Sequence, residues 1–350
     1  MECTTPGGVA GMHDAGGMFR IADDIREGGG FLRRRDLLAL GYTDGWLRAA
    51  LRLRMIFRVR HGWYSVPDAP DPAVRAVRVG GRLTGIAALE SYGLRVPRRD
   101  RVDVAVPRHA CRLRRPGERR ERLVAGDGIR THWSDQRVAE LGDQSRWRVS
   151  VDDALAHILA TEGRDIAVAC CSAVAHRFRW PARRMDAVFA RAPLRARPWR
   201  ALVERRDEAH GETFARLWCG DAGIPWEPQP YVPGVGRLDG LVAPNVYVEI
   251  DGGQHDPAWT GDGVSTFEKD HARDAEMARR GEWVLRFSYR MLYTDWAGCL
   301  AAITRAIDDD RALTAYRRRH PYRPRHPAPR RRARRRAASV LNEKEGDPPH

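Results

Sequence analysis

No apolar run in this chain approaches the roughly 18–20 residues that a helix needs to cross a bilayer, so the sequence gives no membrane span. The opening residues, MECTTPGGVAGMHDAGGMF, lack both the basic start and the apolar centre of a secretory leader. A cytoplasmic location is the expectation. Cysteine is sparse and scattered: Cys3, Cys111, Cys170, Cys171, Cys219 and Cys299 show no CxxC and no Cys/His ligand spacing. That pattern argues against a disulfide framework and against a structural zinc site. The adjacent Cys170 and Cys171 fall in an apolar helical run and read as buried packing. Lysine is almost missing, nearly every basic residue being arginine, and no internal repeat is present. What remains is ample for folding. A chain of 350 residues with 43% hydrophobic content reads as two or three domains with real cores.

The net charge of +15 is unevenly spread. From Arg311 to His350 thirteen basic residues face three acidic ones, which leaves only +5 for residues 1–310. This end is also rich in proline (YRRRHPYRPRHPAPRRRARRR), and such a segment cannot bury a core. Residues 311–350 are expected to be a disordered basic tail, either a polyanion-binding arm or a merely solvated end.

Residues 1–18 are Gly-rich and expected to be loose and flexible. From Phe31, FLRRRDLLALG reads as a short helix ended by Gly41, with Thr43 as N-cap of the next, DGWLRAALRLR. IFRVRHGWYSV then reads as strand, a turn at His61-Gly62, and strand. Helix, turn, helix and β-wing over residues 19–68 is the winged-helix plan, in which the second helix enters the major groove. Trp46, Leu47, Ala50, Leu51 and Leu53 are expected to face inward. Arg48, Arg52 and Arg54 would then face DNA, with Arg58, Arg60 and His61 on the wing. Protein docking is the competing use of such a module.

Residues 69–191 read as a small α/β segment. Thr84–Leu94 is helical, Val102–Pro107 and Ile129–Ser134 are strands, and Ser150 caps VDDALAHILA ahead of a second helix, DIAVACCSAVAHRF. Residues 192–200 (APLRARPWR) read as a Pro/Arg linker. Beyond it the pattern is helix (Ala201–Ala222), strands near Pro230, Leu238 and Val248, helix (Phe267–Arg280), strand (Trp283–Ser288) and a closing helix to Ile307. The chain is therefore α/β in class (α+β, multidomain), with an αβββαβ unit over residues 201–310 whose strand–helix–strand step is a right-handed crossover.

One stretch organises the C-terminal unit: RLDGLVAPNVYVEIDGGQH, from Arg237 to His255. Two apolar runs flank Ala243-Pro244-Asn245, which reads as a hairpin turn. Alternation sends Val246, Val248 and Ile250 to one face and Tyr247, Glu249 and Asp251 to the other. With a three-residue loop Val242 pairs with Val246 and Asp239 comes opposite Glu249, side chains about 4.5–5.5 Å apart. Two carboxylates so placed repel unless a cation sits between them, and a hard divalent ion would fit. The plainer reading is the wet face of an ordinary hairpin. A loop of two or four residues would put the two acids on opposite faces.

Asp239, Glu249-Ile250-Asp251-Gly252, His255, Asp270, Arg273-Asp274 and the stretch from Gly281 to Phe287 together resemble the Vsr-like branch of the PD-(D/E)xK nucleases. The similarity spans about Gly211 to Ile307, and Glu212 matches the acidic residue of that family's first helix. The usual motif lysine is replaced by Asp251. The winged-helix pattern followed by TGIAALESYGL and the small α/β segment is similar to the N-terminal part of AbiEi-type antitoxins of type IV toxin–antitoxin systems, over about Phe31 to Arg191.

These resemblances imply an endonuclease-like domain in which Asp239, Glu249, Glu212 and the carbonyl of Ile250 hold one or two Mg²⁺ (or Mn²⁺). Asp251 would bind a second metal or a water, and His255 would act as general base or phosphate contact. A lone His after a turn is otherwise simply exposed. Asp270, Arg273 and Asp274 would orient the site or form an ordinary helical ion-pair face. Glu212 could equally be an exposed helix former. The implied partner is DNA, with RNA left open, and a cognate toxin or self-association on the antitoxin side. The two function classes are a metal-dependent DNA endonuclease and a non-catalytic DNA-binding regulator.

Overall fold

The computed structural model describes residues 15–97, 100–118, 120–133, 147–251 and 263–320. It is mixed helix and sheet, with four small sheets among the described residues. No helix among them is long and apolar enough to cross a membrane.

The first elements are α1 (Ala15–Glu27), β1 (Phe31–Arg33), α2 (Arg34–Ala39), α3 (Asp44–Arg52), β2 (Phe57–Arg60) and β3 (Trp63–Ser65). The strands form an antiparallel sheet in the order β1-β3-β2. Thr43 caps α3 as expected, its Oγ1 accepting the Trp46 N–H at 3.3 Å, and Gly41 takes the positive φ of 94° that turns the chain out of α2. Three expectations need correcting. The stretch 1–18 is not loose throughout: α1 begins at Ala15, and its Ile21 and Ile25 are fully buried beside Leu37, Leu47, Ala50 and Ile56. Phe31–Arg33 is a strand rather than a first helical turn, because Phe31 is drawn against Trp147, ring centroids 5.1 Å apart. Leu53 is 58% exposed. α3 stops at Arg52 and Arg54 goes left-handed (φ 55°), so the helical period that would turn Leu53 inward does not continue.

The middle elements are α4 (Asp71–Val79), β4 (Arg82–Thr84), α5 (Gly85–Ser91), β5 (Val102–Val106), β6 (Ile129–Trp133), α6 (Val151–Thr161), α7 (Arg164–Arg177) and α8 (Ala182–Ala190), followed by a 3₁₀ segment over Leu194–Leu202. β4 pairs antiparallel with β5, and β5 parallel with β6. Ser150 caps α6, accepting the Asp153 N–H at 3.2 Å, and Cys170 and Cys171 are fully buried on α7. The sequence pattern marks neither α4 nor α8, and the helix expected from Thr84 begins one residue later, after β4. Residues 192–200 are not an open linker. The 3₁₀ segment docks on the middle core through buried Ala196, while Arg195 and Arg197 donate to the carbonyls of Ala160 and Ala192 at 2.6 and 3.3 Å.

The last elements are α9 (His210–Asp221), β7 (Glu227–Pro228), β8 (Tyr231–Val232), β9 (Gly236–Arg237), β10 (Gly240–Ala243), β11 (Val246–Asp251), α10 (Gly263–Arg280), β12 (Trp283–Ser288), α11 (Tyr289–Thr294) and α12 (Trp296–Arg319). A four-stranded sheet has the order β12-β11-β10-β7, parallel only between β11 and β12. One face, with Val242, Val246, Val248 and Phe287, packs on Ala215 and Cys219 of α9 and on Ile303 and Ile307 of α12. The other, with Tyr247, packs on Met277 of α10.

α9 starts nine residues later than Ala201, since Ala201 and Leu202 end the 3₁₀ segment and a non-helical stretch follows to Ala209. α12 runs to Arg319, so residues 311–319 are helical rather than disordered. Its Asp310 is buried and accepts the Asn245 side-chain N–H at 2.7 Å, which pins the hairpin turn to the helix. That turn is shorter than expected. Ala243 pairs with Val246 around Pro244-Asn245, and a one-residue irregularity at Val242 then restores the count, so that Gly240 faces Val248. Asp239 thereby arrives opposite Glu249, as the sequence reading expects, through a two-residue turn plus a bulge.

Candidate functional site

Glu212 and Asp239 approach each other where α9 meets the residue before β10, with Glu249 on the adjoining strand β11, but the three do not bring their donor atoms within 4.8 Å of one another. Glu212 lies in the first turn of α9 and is buried. Its carboxylate accepts the N–H groups of Glu208 and Ala209, each at 3.0 Å, so it also closes the helix N-terminus. Gln229, held at a positive φ of 54°, joins Glu212 to Asp239: its Nε2 lies 2.9 Å from Glu212 Oε2 and 3.5 Å from Asp239 Oδ1. The backbone N–H of Gln229 donates to the Asp239 carbonyl at 3.1 Å. Asp239 Oδ2 in turn accepts the N–H of Ile250 at 2.7 Å, so at this site Ile250 contributes its amide.

Electrostatics at these acids are unfavourable to charge. Burial, reinforced by the charge of Asp239, pushes the Glu212 carboxyl up to about 8 against the pull of its N–H donors. Burial pushes Asp239 up to about 6, with Glu249 and Asp251 adding to the rise and the Ile250 N–H opposing it. Glu249 is in a different situation. Its side chain is buried, with Arg273 of α10 at 2.9 Å from Oε1 and Arg286 of β12 at 2.9 Å from Oε2. Arg286 also reaches Asp274 at 2.9 Å, and Arg273 donates to the Arg237 carbonyl at 3.0 Å. Glu249 is thus compensated by two guanidiniums, whereas among the described residues Glu212 and Asp239 are satisfied by neutral donors.

Of the residues singled out from sequence, Glu212, Asp239, Glu249, Ile250, Asp251, Arg273 and Asp274 fall in this region. Asp251 ends β11 half-buried. His255 lies outside the described residues, as does the side chain of Asp270. Arg48, Arg52, Arg54 and Arg58 are exposed on the N-terminal unit. Arg60 is not. A register shift between Arg58 and Arg60 breaks the alternation that would keep both on the outer face. The Arg60 guanidinium turns inward, Nη1 3.5 Å from the Val77 carbonyl, and burial lowers its pKa. Two contributors carry no signal in the sequence. Gln229 sits between two prolines with no motif to mark it, and Arg286, inside the quoted Gly281–Phe287 stretch, gains its role only by lying in register with Glu249.

A second cluster gave no spacing signal at all. Asp103 on β5, His132 on β6 and His157 on α6 bring donor atoms within 4.8 Å of one another, a set that could hold a metal ion. Among the described residues no other group of three His, Cys, Asp or Glu does so. His132 Nε2 lies 2.8 Å from Asp103 Oδ1, the two imidazole rings meet edge to face at 4.0 Å, and burial lowers the His157 pKa to about 4. The neutral imidazole, the ligating form, is therefore the form present at neutral pH.

No family model matches the chain, and no curated protein matches it.

Proposed function

We propose that the C-terminal unit is a metal-dependent, Vsr-like PD-(D/E)xK endonuclease-like domain that cleaves phosphodiester bonds in DNA. A winged-helix module over residues 19–68 would place it on the duplex. The observation that supports this most is the pairing of Glu212 with Asp239, bridged by Gln229 and both raised by burial, with the charge of Glu249 felt at Asp239. Raised carboxylates beside one another are an environment that a divalent cation, drawing their oxygens inward, turns from repulsive to attractive. In this reading Asp239 and Glu249, helped by Glu212 and the Ile250 carbonyl, hold Mg²⁺ or Mn²⁺. Such an ion would lower the pKa of a bound water and stabilise charge building on the scissile phosphate. Asp251 takes the place of the missing lysine, His255 supplies the base, and Gln229 positions Glu212 against Asp239.

A second reading is favoured by the two arginines on Glu249. An acid already neutralised has less need of a metal. That arrangement suits a non-catalytic DNA-binding regulator, related to AbiEi-type antitoxins and paired with a cognate toxin, in which the C-terminal unit only grips nucleic acid.

Thermal melts of wild type and Glu249→Gln with and without Mg²⁺ or Mn²⁺, repeated with a short duplex, separate the two, together with plasmid cleavage under an EDTA control. The nuclease reading expects metal stabilisation and cleavage in the wild type, both lost in the variant while DNA affinity persists. A wild-type melt indifferent to either ion even with duplex present, alongside no cleavage, would leave the regulator.

A further inference from the structure

The middle unit carries a group of ligands with no part in the reading above. Thr84 on β4 and Asp103 on β5 are antiparallel partners, and Asp103 and Arg130 on β6 are parallel partners. Register partners share a sheet face, and residues two apart on a strand return to it. Thr84, Asp103, Arg130 and His132 therefore line one face, and His157 of α6 comes down onto it. Asp103 is buried, and the His157 side chain is only 11% exposed.

Two polar atoms here are left over. Among the described residues His157 Nε2, which is buried, finds no hydrogen-bond partner, and it lies 3.9 Å from Asp103 Oδ1. Thr84 Oγ1 is likewise buried without one. Leaving such groups unsatisfied costs about 1–3 kcal/mol each. Gly85 keeps the place open: a Cβ there would come 3.3 Å from Asp103 Oδ2 and 3.3 Å from His157 Cδ2, at a φ of 63° that side chains rarely adopt.

We propose that Asp103, His132 and His157 bind a divalent transition-metal ion of the zinc class, with an open fourth position. Bonds of about 2.0–2.1 Å in a tetrahedral shell set neighbouring donors roughly 3.3 Å apart. The distances of 2.8 and 3.9 Å from Asp103 Oδ1 to the two imidazole nitrogens straddle that value, and all three donors lie within 4.8 Å of one another. Two imidazoles with one carboxylate suit Zn²⁺, Co²⁺ or Ni²⁺ and not Mg²⁺, which prefers oxygen donors. Ligation through His132 Nε2 takes the place of its hydrogen bond to Asp103 Oδ1 and leaves the ring proton on Nδ1. Water in the fourth position gives the Thr84 hydroxyl a partner. Arg130, 2.5 Å from Asp103 Oδ1, opposes a cation, but its charge is shared with Glu162 at 3.0 Å and the carboxylate keeps its other lone pairs. Holding β5, β6 and α6 together, the metal braces this unit.

The test uses the untagged full-length chain, stripped with a chelator, dialysed and titrated with Co²⁺. About one equivalent per chain should bind with the visible bands of four- or five-coordinate cobalt. Zn²⁺ should displace it and raise the melting temperature, while Mg²⁺ should do neither at this site. His157→Gln and His132→Asn should each lose the cobalt signal, and Glu249→Gln should keep it, which separates this site from the acidic one. Should His157→Gln fail to fold, His132→Asn on the half-exposed strand carries the comparison. A wild type that takes up no stoichiometric Co²⁺ or Zn²⁺, or histidine variants that bind as the wild type does, would overturn the assignment.

Discussion

Glu249 and Arg286 are register partners on the parallel strands β11 and β12, and their side chains meet at 2.9 Å. Strand pairing alone thus places a guanidinium on the acid that the hairpin sets opposite Asp239. Arg286→Met removes one of the two charges on Glu249 and should destabilise the metal-free protein by about 1–3 kcal/mol. It should also enlarge the melting shift produced by Mg²⁺, because a less compensated carboxylate gains more from a cation. Paired melts of the variant and wild type check both effects, and an unchanged or smaller shift would count against metal binding at Glu249.

The raised carboxyls predict a pH dependence whose sign follows from linkage. Glu212 rises from 4.5 to about 8 and Asp239 from 3.8 to about 6, so the folded chain binds more protons than the unfolded one between those values. Their contribution is fully present below the ordinary carboxyl range and is lost as pH rises through about 6 and then about 8. The chelated protein should therefore melt higher at about pH 5 than at about pH 8.5 as far as these groups decide it. Glu212→Gln should flatten the upper part of that decline, and saturating Mg²⁺ should do the same in the wild type. A decline equally steep in the variant would place its origin elsewhere.

Exposed and inward arginines of the N-terminal unit should behave differently. Arg48 and Arg52 are exposed on α3, so Ala at both should weaken duplex binding with helical content unchanged. A guanine contact by Arg52 would add a relaxed base preference, at about 1–3 kcal/mol. Arg60→Ala should instead lower the melting temperature with little effect on DNA affinity, since its guanidinium faces Val77. Fluorescence anisotropy and circular dichroism on the same variants distinguish the two patterns.

The basic end should matter for grip. α12 ends at Arg319, so a cut after His320 leaves every described contact intact while removing nine basic and three acidic residues. The slope of log affinity against log salt should become shallower, with the melt unmoved. An unchanged slope would show that these residues do not touch nucleic acid.

Sequence alone determined the features that rest on local chemistry. Thr43 and Ser150 were legible as caps because a hydroxyl before an apolar period has one favoured use. β5 and β6 were legible from alternating β-branched residues, β12 from its short apolar run, and Asp239 opposite Glu249 from counting along a hairpin. The count came out right through a shorter turn and a bulge, since the buried face of Val246 and Val248 holds the register whatever route the turn takes. Tertiary structure decided what depends on neighbours far along the chain. It drew Phe31 into a strand against Trp147, docked the apparent linker through Ala196, and turned Arg60 inward at an irregularity in β2. It also gave Gln229 and Arg286 their acids, and brought Asp103, His132 and His157 together across two strands and a helix. Spacing in sequence carries no trace of such a meeting, because strand pairing and helix docking, rather than local preference, set which side chains share a face.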